Sequence, residues 1–169
     1  IVLTEQQRAR AVNRSSAPGG DGVNMTMSIL DGAMRDIALN TVNETHNITI
    51  VELADQIAPT TVSARLNYSD GELVITASET VDVTPSMNVD PSKLFILDDG
   101  TVASSPLRIV PLTGATITQR DGVSFTVTLT EVQRVAALEI SMTPGGIIAQ
   151  GKMTKDPVLL ETHAGAYFD

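Results

Sequence analysis

Between Thr61 and Leu129, apolar residues fall at alternate positions in short runs, each closed by a turn rich in glycine or aspartate. Alternation of period two puts one row of side chains on each face of a strand, so these runs predict short strands. Thr61–Tyr68 carries Val62, Ala64, Leu66 and Tyr68 in one row, and Ser69-Asp70-Gly71 then reverses the chain. Glu72–Ala77 follows with Leu73 and Ile75 in register. Lys93–Leu97 is closed by Asp98-Asp99-Gly100, and Leu107–Pro111 and Ala115–Gln119 come next. Arg120-Asp121-Gly122 leads into Val123–Leu129, where Val123, Phe125, Val127 and Leu129 alternate. A last strand is predicted near Pro157–Glu161. Seven strands in about 110 residues is the pattern of a β-sandwich. Met25 and Met27 alternate with Thr26 and Ser28 and predict a further strand.

One segment has the helical period instead. Thr130 can cap a helix, with Gln133 three residues on at capping-box spacing, and Val132, Val135 and Leu138 fall on one face. Pro144-Gly145-Gly146 ends it. The same segment occurs earlier. Leu3–Gly20 and Leu129–Gly146 align without a gap at an offset of 126 (129 − 3), with ten of 18 positions identical. The identities include Leu3/Leu129, Thr4/Thr130, Gln7/Gln133, Arg8/Arg134, Ser15/Ser141 and the Pro-Gly-Gly triplets. The match resumes at Gly32–Asp36 and Gly165–Asp169, with the offset now 133 (169 − 36). The second copy thus holds seven extra residues, expected in a surface loop over Ile147–Lys155.

An internal repeat of this length is a tandem-module signature. It predicts the C-terminal half of one repeat in residues 1–40, a linker over 41–58, and a nearly complete second repeat over 59–169. The ends at Ile1 and Asp169 read as cuts in a longer polypeptide, with a tetrapeptide similar to Ile37-Ala38-Leu39-Asn40 expected directly after Asp169.

Composition narrows the class. Hydrophobic residues are 42% and aromatics only 3%, with no Trp, so the core is aliphatic and the methionines are flexible filler. A net charge of −9 argues against nucleic acid and against an anionic membrane surface, because both need clustered Lys and Arg. No apolar run reaches the roughly 20 residues of a membrane span. Cysteine is absent, which ordinarily points to a reducing compartment. A sandwich of this size can close its core without disulfides, so the absence of Cys leaves secretion open.

Leu66–Leu73, Ser78-Glu79-Thr80-Val81-Asp82, Leu129-Thr130-Glu131 with Gln133-Arg134, and Pro144-Gly145-Gly146 together resemble a known repeat type. They are similar to the immunoglobulin-like or cadherin-like tandem repeats of very large secreted proteins of algae, other protists and bacteria. The resemblance covers most of 59–169 and, through the internal repeat, 1–40. It implies an all-β fold of immunoglobulin-like sandwich repeats with one short helix each, strung in series outside the cell. It brings no catalytic residues.

Five of the seven asparagines lie in Asn-x-Ser/Thr sequons: Asn13, Asn24, Asn43, Asn47 and Asn67. With 32 Ser and Thr in 169 residues, chance gives roughly one or two, so the excess points to N-linked glycans and a eukaryotic secretory route. Asn43 and Asn47 are close enough for one glycan to hinder the other, and both fall where sugars would stiffen the expected linker.

Acidic turns recur, and cadherin-like domains bind calcium at their junctions. Glu79, Asp82, Asp98 and Asp99 are the candidate ligands, against the plainer reading that Asp-Gly simply turns a chain well. His46 and His163 have neither zinc nor triad spacing around them and read as surface residues. With no Trp there is no aromatic platform for a sugar, and neither Gly pair is followed by the Lys-Ser/Thr of a phosphate loop. The chain therefore reads as a non-enzymatic structural module of an extracellular fibre, wall or surface layer, partnered by neighbouring repeats and other copies of itself. A calcium-dependent adhesion or ligand-binding ectodomain is the alternative, and an accessory domain of a secreted enzyme the third reading.

Overall fold

The computed structural model describes residues 1–98, 108–118, 120–146 and 157–168. The chain divides into two units, Ile1–Ile57 and Ala58–Asp169. Strand dominates, with several antiparallel sheets and two α-helices among the described residues.

The first unit holds helix α1 (Glu5–Val12) and strands β1 (Thr26–Ile29) and β2 (Thr45–Thr49). Thr4 caps α1: its Oγ1 accepts from the Gln7 amide at 3.4 Å, and its own amide donates to Gln7 Oε1 at 2.9 Å. After the helix, the Ser15 hydroxyl donates to the Val12 carbonyl at 2.8 Å, and Gly19 takes a φ of +91°. β1 and β2 pair antiparallel through Thr26↔Thr49, Met27↔Ile48 and Ile29↔Thr45, with an irregularity between Met27 and Ile29. Asn47 lies opposite that irregularity at a φ of +57°. The segment 41–58, expected to be a linker, therefore contains a paired strand. Its polar, weakly alternating sequence conceals this, because its pairing is set by β1 some twenty residues away rather than by a buried face. No hydrophobic side chain of this unit is buried.

The second unit contains seven strands among the described residues. They are β3 (Thr61–Asn67), β4 (Glu72–Val81), β5 (Leu94–Leu97), β6 (Ile109–Pro111), β7 (Thr116–Ile117), β8 (Gly122–Thr128) and β9 (Leu159–Thr162). Helix α2 (Glu131–Ile140) lies between the last two. One sheet has the order β3-β4-β8-β7 and the other β6-β5-β9. A single apolar cluster draws on both: Leu73 and Ile75 from β4, Phe125 and Val127 from β8, Leu94 and Ile96 from β5, Val110 from β6, and Ala137 and Ile140 from α2. The turn at Asp98-Asp99-Gly100 beyond Asp98, the start of the predicted Leu107–Pro111 strand, Gln119 and the expected loop over 147–155 lie outside the described residues.

Three details depart from the sequence reading. β4 continues past Ala77 to Val81, and its inward row includes Glu79 between Ala77 and Val81. A carboxylate in the row hides the period from a hydrophobic pattern. In β3, Val62 and Ala64 are exposed, because β3 ends its sheet and, among the described residues, pairs with β4 alone. On α2 the buried side chains are Gln133, Ala137 and Ile140, whereas Val132 and Val135 are exposed. Gln133 explains the choice of face. Its Oε1 accepts from the Thr130 amide, and its Nε2 donates to the Pro111 and Thr113 carbonyls at 2.9 Å each, fastening that side of the helix to the end of β6. Gln133→Ala removes the reciprocal cap and both tethers, and is expected to cost about 1.5 kcal/mol in a urea titration of the second unit. A loss below about 0.5 kcal/mol would show that the tethers carry no net stability.

Candidate functional site

The residues singled out by chemistry are the five sequon asparagines and the acidic turns. All five asparagines are exposed. Asn13 follows α1 directly as its C-terminal cap, with its amide donating back to Ala9 and Ala11. Asn24 precedes β1, and its sequon threonine, Thr26, pairs with Thr49, the threonine of the Asn47 sequon. Asn43 and Asn47 flank and occupy β2. The hydroxyl of Thr45 donates to the Asn43 carbonyl at 3.3 Å. Asn67 ends β3, where its Oδ1 accepts from the Ser69 amide at 3.0 Å and its Nδ2 donates to Asp70. Its side chain therefore shapes the hairpin before β4. Ser15, the hydroxyl residue of the Asn13 sequon, is buried and bonded to Val12. A glycan on Asn13 would thus have to be added before the α1 turn closes.

The acidic residues divide by role. Asp82 Oδ1 accepts from the Thr84 amide at 3.0 Å and its Oδ2 from Asn88 Nδ2 at 2.7 Å. Asp70 accepts from the Glu72 amide, Asp90 from the Ser92 amide and hydroxyl, and Asp121 from the Val83 amide. The Ser92 bonds hold the Asp90 carboxyl below the ordinary range. Asp70, Asp82 and Asp90 thus close their own turns, whereas Asp121 ties the start of β8 to the segment after β4, 38 residues away. Glu79 and Asp98 are both buried, and Asp98 Oδ1 has no hydrogen-bond partner among the described residues. Asp99 lies outside the described residues. The described residues contain no group of three or more His, Asp or Glu side chains placed to hold a metal ion, so Glu79, Asp82 and Asp98 are not gathered into one site there.

His46 sits 3.1 Å from Glu44. His163 bonds Glu161 at 2.8 Å and lies against the Phe95 ring at a centroid distance of 4.9 Å. A shallow, open hollow is lined by Met34, Arg35, Asp36, Asn40, Thr41 and Val42. In it Asp36 is bonded to the Asn40 side chain and amide, which holds its carboxyl below the ordinary range.

Sequence reasoning missed Glu52, which organises the first unit. Its carboxylate accepts from the Met25 amide at 2.6 Å, the Ser16 amide at 2.7 Å and the Ser16 hydroxyl at 2.9 Å, and these bonds hold its carboxyl below the ordinary range. An isolated glutamate in a mixed segment carries no local mark of that role. No helix among the described residues is long and apolar enough to cross a membrane. Comparison with protein-family models, with curated proteins and with solved structures finds no match to this chain.

Proposed function

We propose that this chain is a structural module of a secreted, N-glycosylated tandem-repeat protein, made of immunoglobulin-like sandwich domains and assembled into an extracellular fibre, wall or surface layer. The observation that carries the reading is the internal match at an offset of 126 residues, whose two copies share their bonding in detail. Thr4 and Thr130 form the same capping box, and Arg8 and Arg134 each bond the glutamate three residues before. Ser15 and Ser141 each donate to the carbonyl three residues before at 2.8 Å, and Gly19 and Gly145 both take positive φ.

Strand order supports the sandwich type. In the second unit the first, second, sixth and fifth strands share a sheet, and the third strand lies between the fourth and the last. With β6 counted as the extra strand after the third, this order is consistent with the A-B-E-D and C′-C-F arrangement of immunoglobulin-like domains. β9 then occupies the F position. At the offset of 133, β1 is its counterpart (159 − 26 and 162 − 29), and β2 beside β1 takes the place of strand G. Modules of this kind contact mainly their sequence neighbours and build rods. Sugars on exposed strand β2 would also shield an open edge from pairing with other chains.

The test is expression through a eukaryotic secretory pathway, followed by glycopeptide mass spectrometry. Occupancy is expected at Asn24, Asn67 and at least one of Asn43 and Asn47. All five asparagines unmodified would remove the glycoprotein reading. A parallel arm adds a chelator. Asp70, Asp82 and Asp90 already close turns and Asp121 already holds the Val83 amide, so thermal unfolding is expected to be unchanged by chelation. A fall in the midpoint would favour the calcium-dependent adhesion module instead.

A further inference from the structure

The first unit displays, uncovered, a face that the second unit keeps inside. Leu3 is 51% exposed where Leu129 is 6%, and Met34 is 50% exposed where its counterpart Tyr167 is 8%. Ala11 is only partly covered, whereas Ala137 is fully buried. The polar groups tell the same story. Gln7 uses its Oε1 for the cap, as Gln133 does, but it is exposed, whereas Gln133 turns its Nε2 onto two carbonyls of the segment after β6. Arg134 Nη1 donates to the Tyr68 carbonyl at 2.6 Å, whereas Arg8 turns its Nη1 to Asp55. The turn before Met34 is nonetheless formed as in the second unit. Gly32 and Gly165 both have a φ of +71°, and the Ala33 and Ala166 amides donate to the carbonyls of Leu30 and His163.

We propose that the surface of the first unit carrying Leu3, Gln7, Ala11 and Met34 is a docking surface, and that its occupant is a β-sheet half-module built like residues 58–128 of this chain. The inference rests on the tandem-module reading. In the second unit the matching groups join one cluster with apolar side chains of β4, β5 and β8, Phe125 standing edge-on to Tyr167, and the Pro111–Thr113 segment presents two backbone carbonyls to the helix glutamine. A globular partner with a polar surface would supply neither. An eight-residue helix with no buried residue is marginal by itself, so α1 depends on such a cover for stability.

The test is amide hydrogen exchange, read residue by residue. In the unaltered chain the α1 amides are expected to exchange within about tenfold of unstructured-peptide rates, while those of α2 are strongly protected. Protection of α1 equal to that of α2 in dilute solution would overturn the proposal. A second form carries an added copy of residues 58–128 joined through its Thr128 to Leu3, which recreates the Thr128–Leu129 junction. There the α1 amides should slow by at least about 100-fold. No slowing overturns the proposal. Ala11→Glu in that form should return α1 to fast exchange while α2 keeps its protection. Slow exchange despite the added glutamate would show that another face is used, and would also overturn it. Protection in the unaltered chain that rises with protein concentration would make a second copy the occupant and refute the half-module. Glycan occupancy does not enter this readout, so unmodified asparagines with a protected α1 would fell the secreted-glycoprotein reading alone.

Discussion

Replacing Ile75 by alanine is expected to lower the stability of the second unit by about 3–4 kcal/mol, seen as a fall in the guanidinium midpoint at unchanged slope. Ile75 is fully buried, stands at the middle of β4, and is paired with Ala64 of β3 on one side and Phe125 of β8 on the other. Its side chain joins the cluster shared by both sheets and α2, so truncation leaves a cavity where no element can collapse independently. With domain stabilities of about 5–15 kcal/mol, that loss would be a large share of the total. The same truncation at Met27 of β1 should cost under about 0.5 kcal/mol, since that side chain is already substantially exposed. A loss below about 1 kcal/mol for Ile75→Ala would mean that the two sheets do not share one core.

The difference between those two sites also marks how far the sequence could be read. The seven strands of the second unit were legible because β3, β4 and β8 alternate, the others are short apolar runs, and turn residues separate them, all of which are local signals. Ranges slipped where a side chain inside the row was polar. Glu79 hid the last four residues of β4, and Gln133 hid the buried face of α2. Both carry polar atoms whose placement is decided by groups far along the chain, as in the bonds from Gln133 to Pro111 and Thr113. β2 was illegible for the same reason: only Ile48 of its five residues is strongly apolar, and its ladder is set by β1. The sequons were fully legible as a pattern of three residues. Ser15 shows what the pattern omits, because its hydroxyl is buried and bonded to Val12. For the carboxylates, spacing alone could not separate Asp82, which caps a turn, from the buried Asp98.

Gly146→Ala is the sharpest test of the turn that closes the repeated helix. A Cβ at this position would lie 1.9 Å from the Ser141 carbonyl oxygen and 3.1 Å from that of Leu138, and both are backbone atoms. Neither can give way as the end of a flexible side chain would. Ser141 is itself buried, and its hydroxyl is bonded to the Leu138 carbonyl and to Thr143 Oγ1 at 2.6 Å. The added methyl therefore has to push the Pro144-Gly145-Gly146 turn off the end of α2, and Ile140, buried in the core one residue before Ser141, moves with it. We expect a loss of roughly 3 kcal/mol in the second unit, at the upper end of ordinary single substitutions. Gly145→Ala, at a φ of +100°, strains the backbone without such an overlap, its nearest contact being a Leu138 methyl at 3.5 Å, and should cost about 1 kcal/mol. The order of the two is the informative outcome. If Gly145→Ala cost more, left-handed backbone would be what the Gly pair supplies. If Gly146→Ala dominates, the pair is there because the chain passes within contact distance of the helix end. A Cβ at Gly20 would likewise lie 2.1 Å from the Ser15 carbonyl oxygen, although the first unit buries no hydrophobic side chain. Two turns so alike, one beside a filled core and one without, place the cause of the glycine pair in the local path of the backbone rather than in core packing.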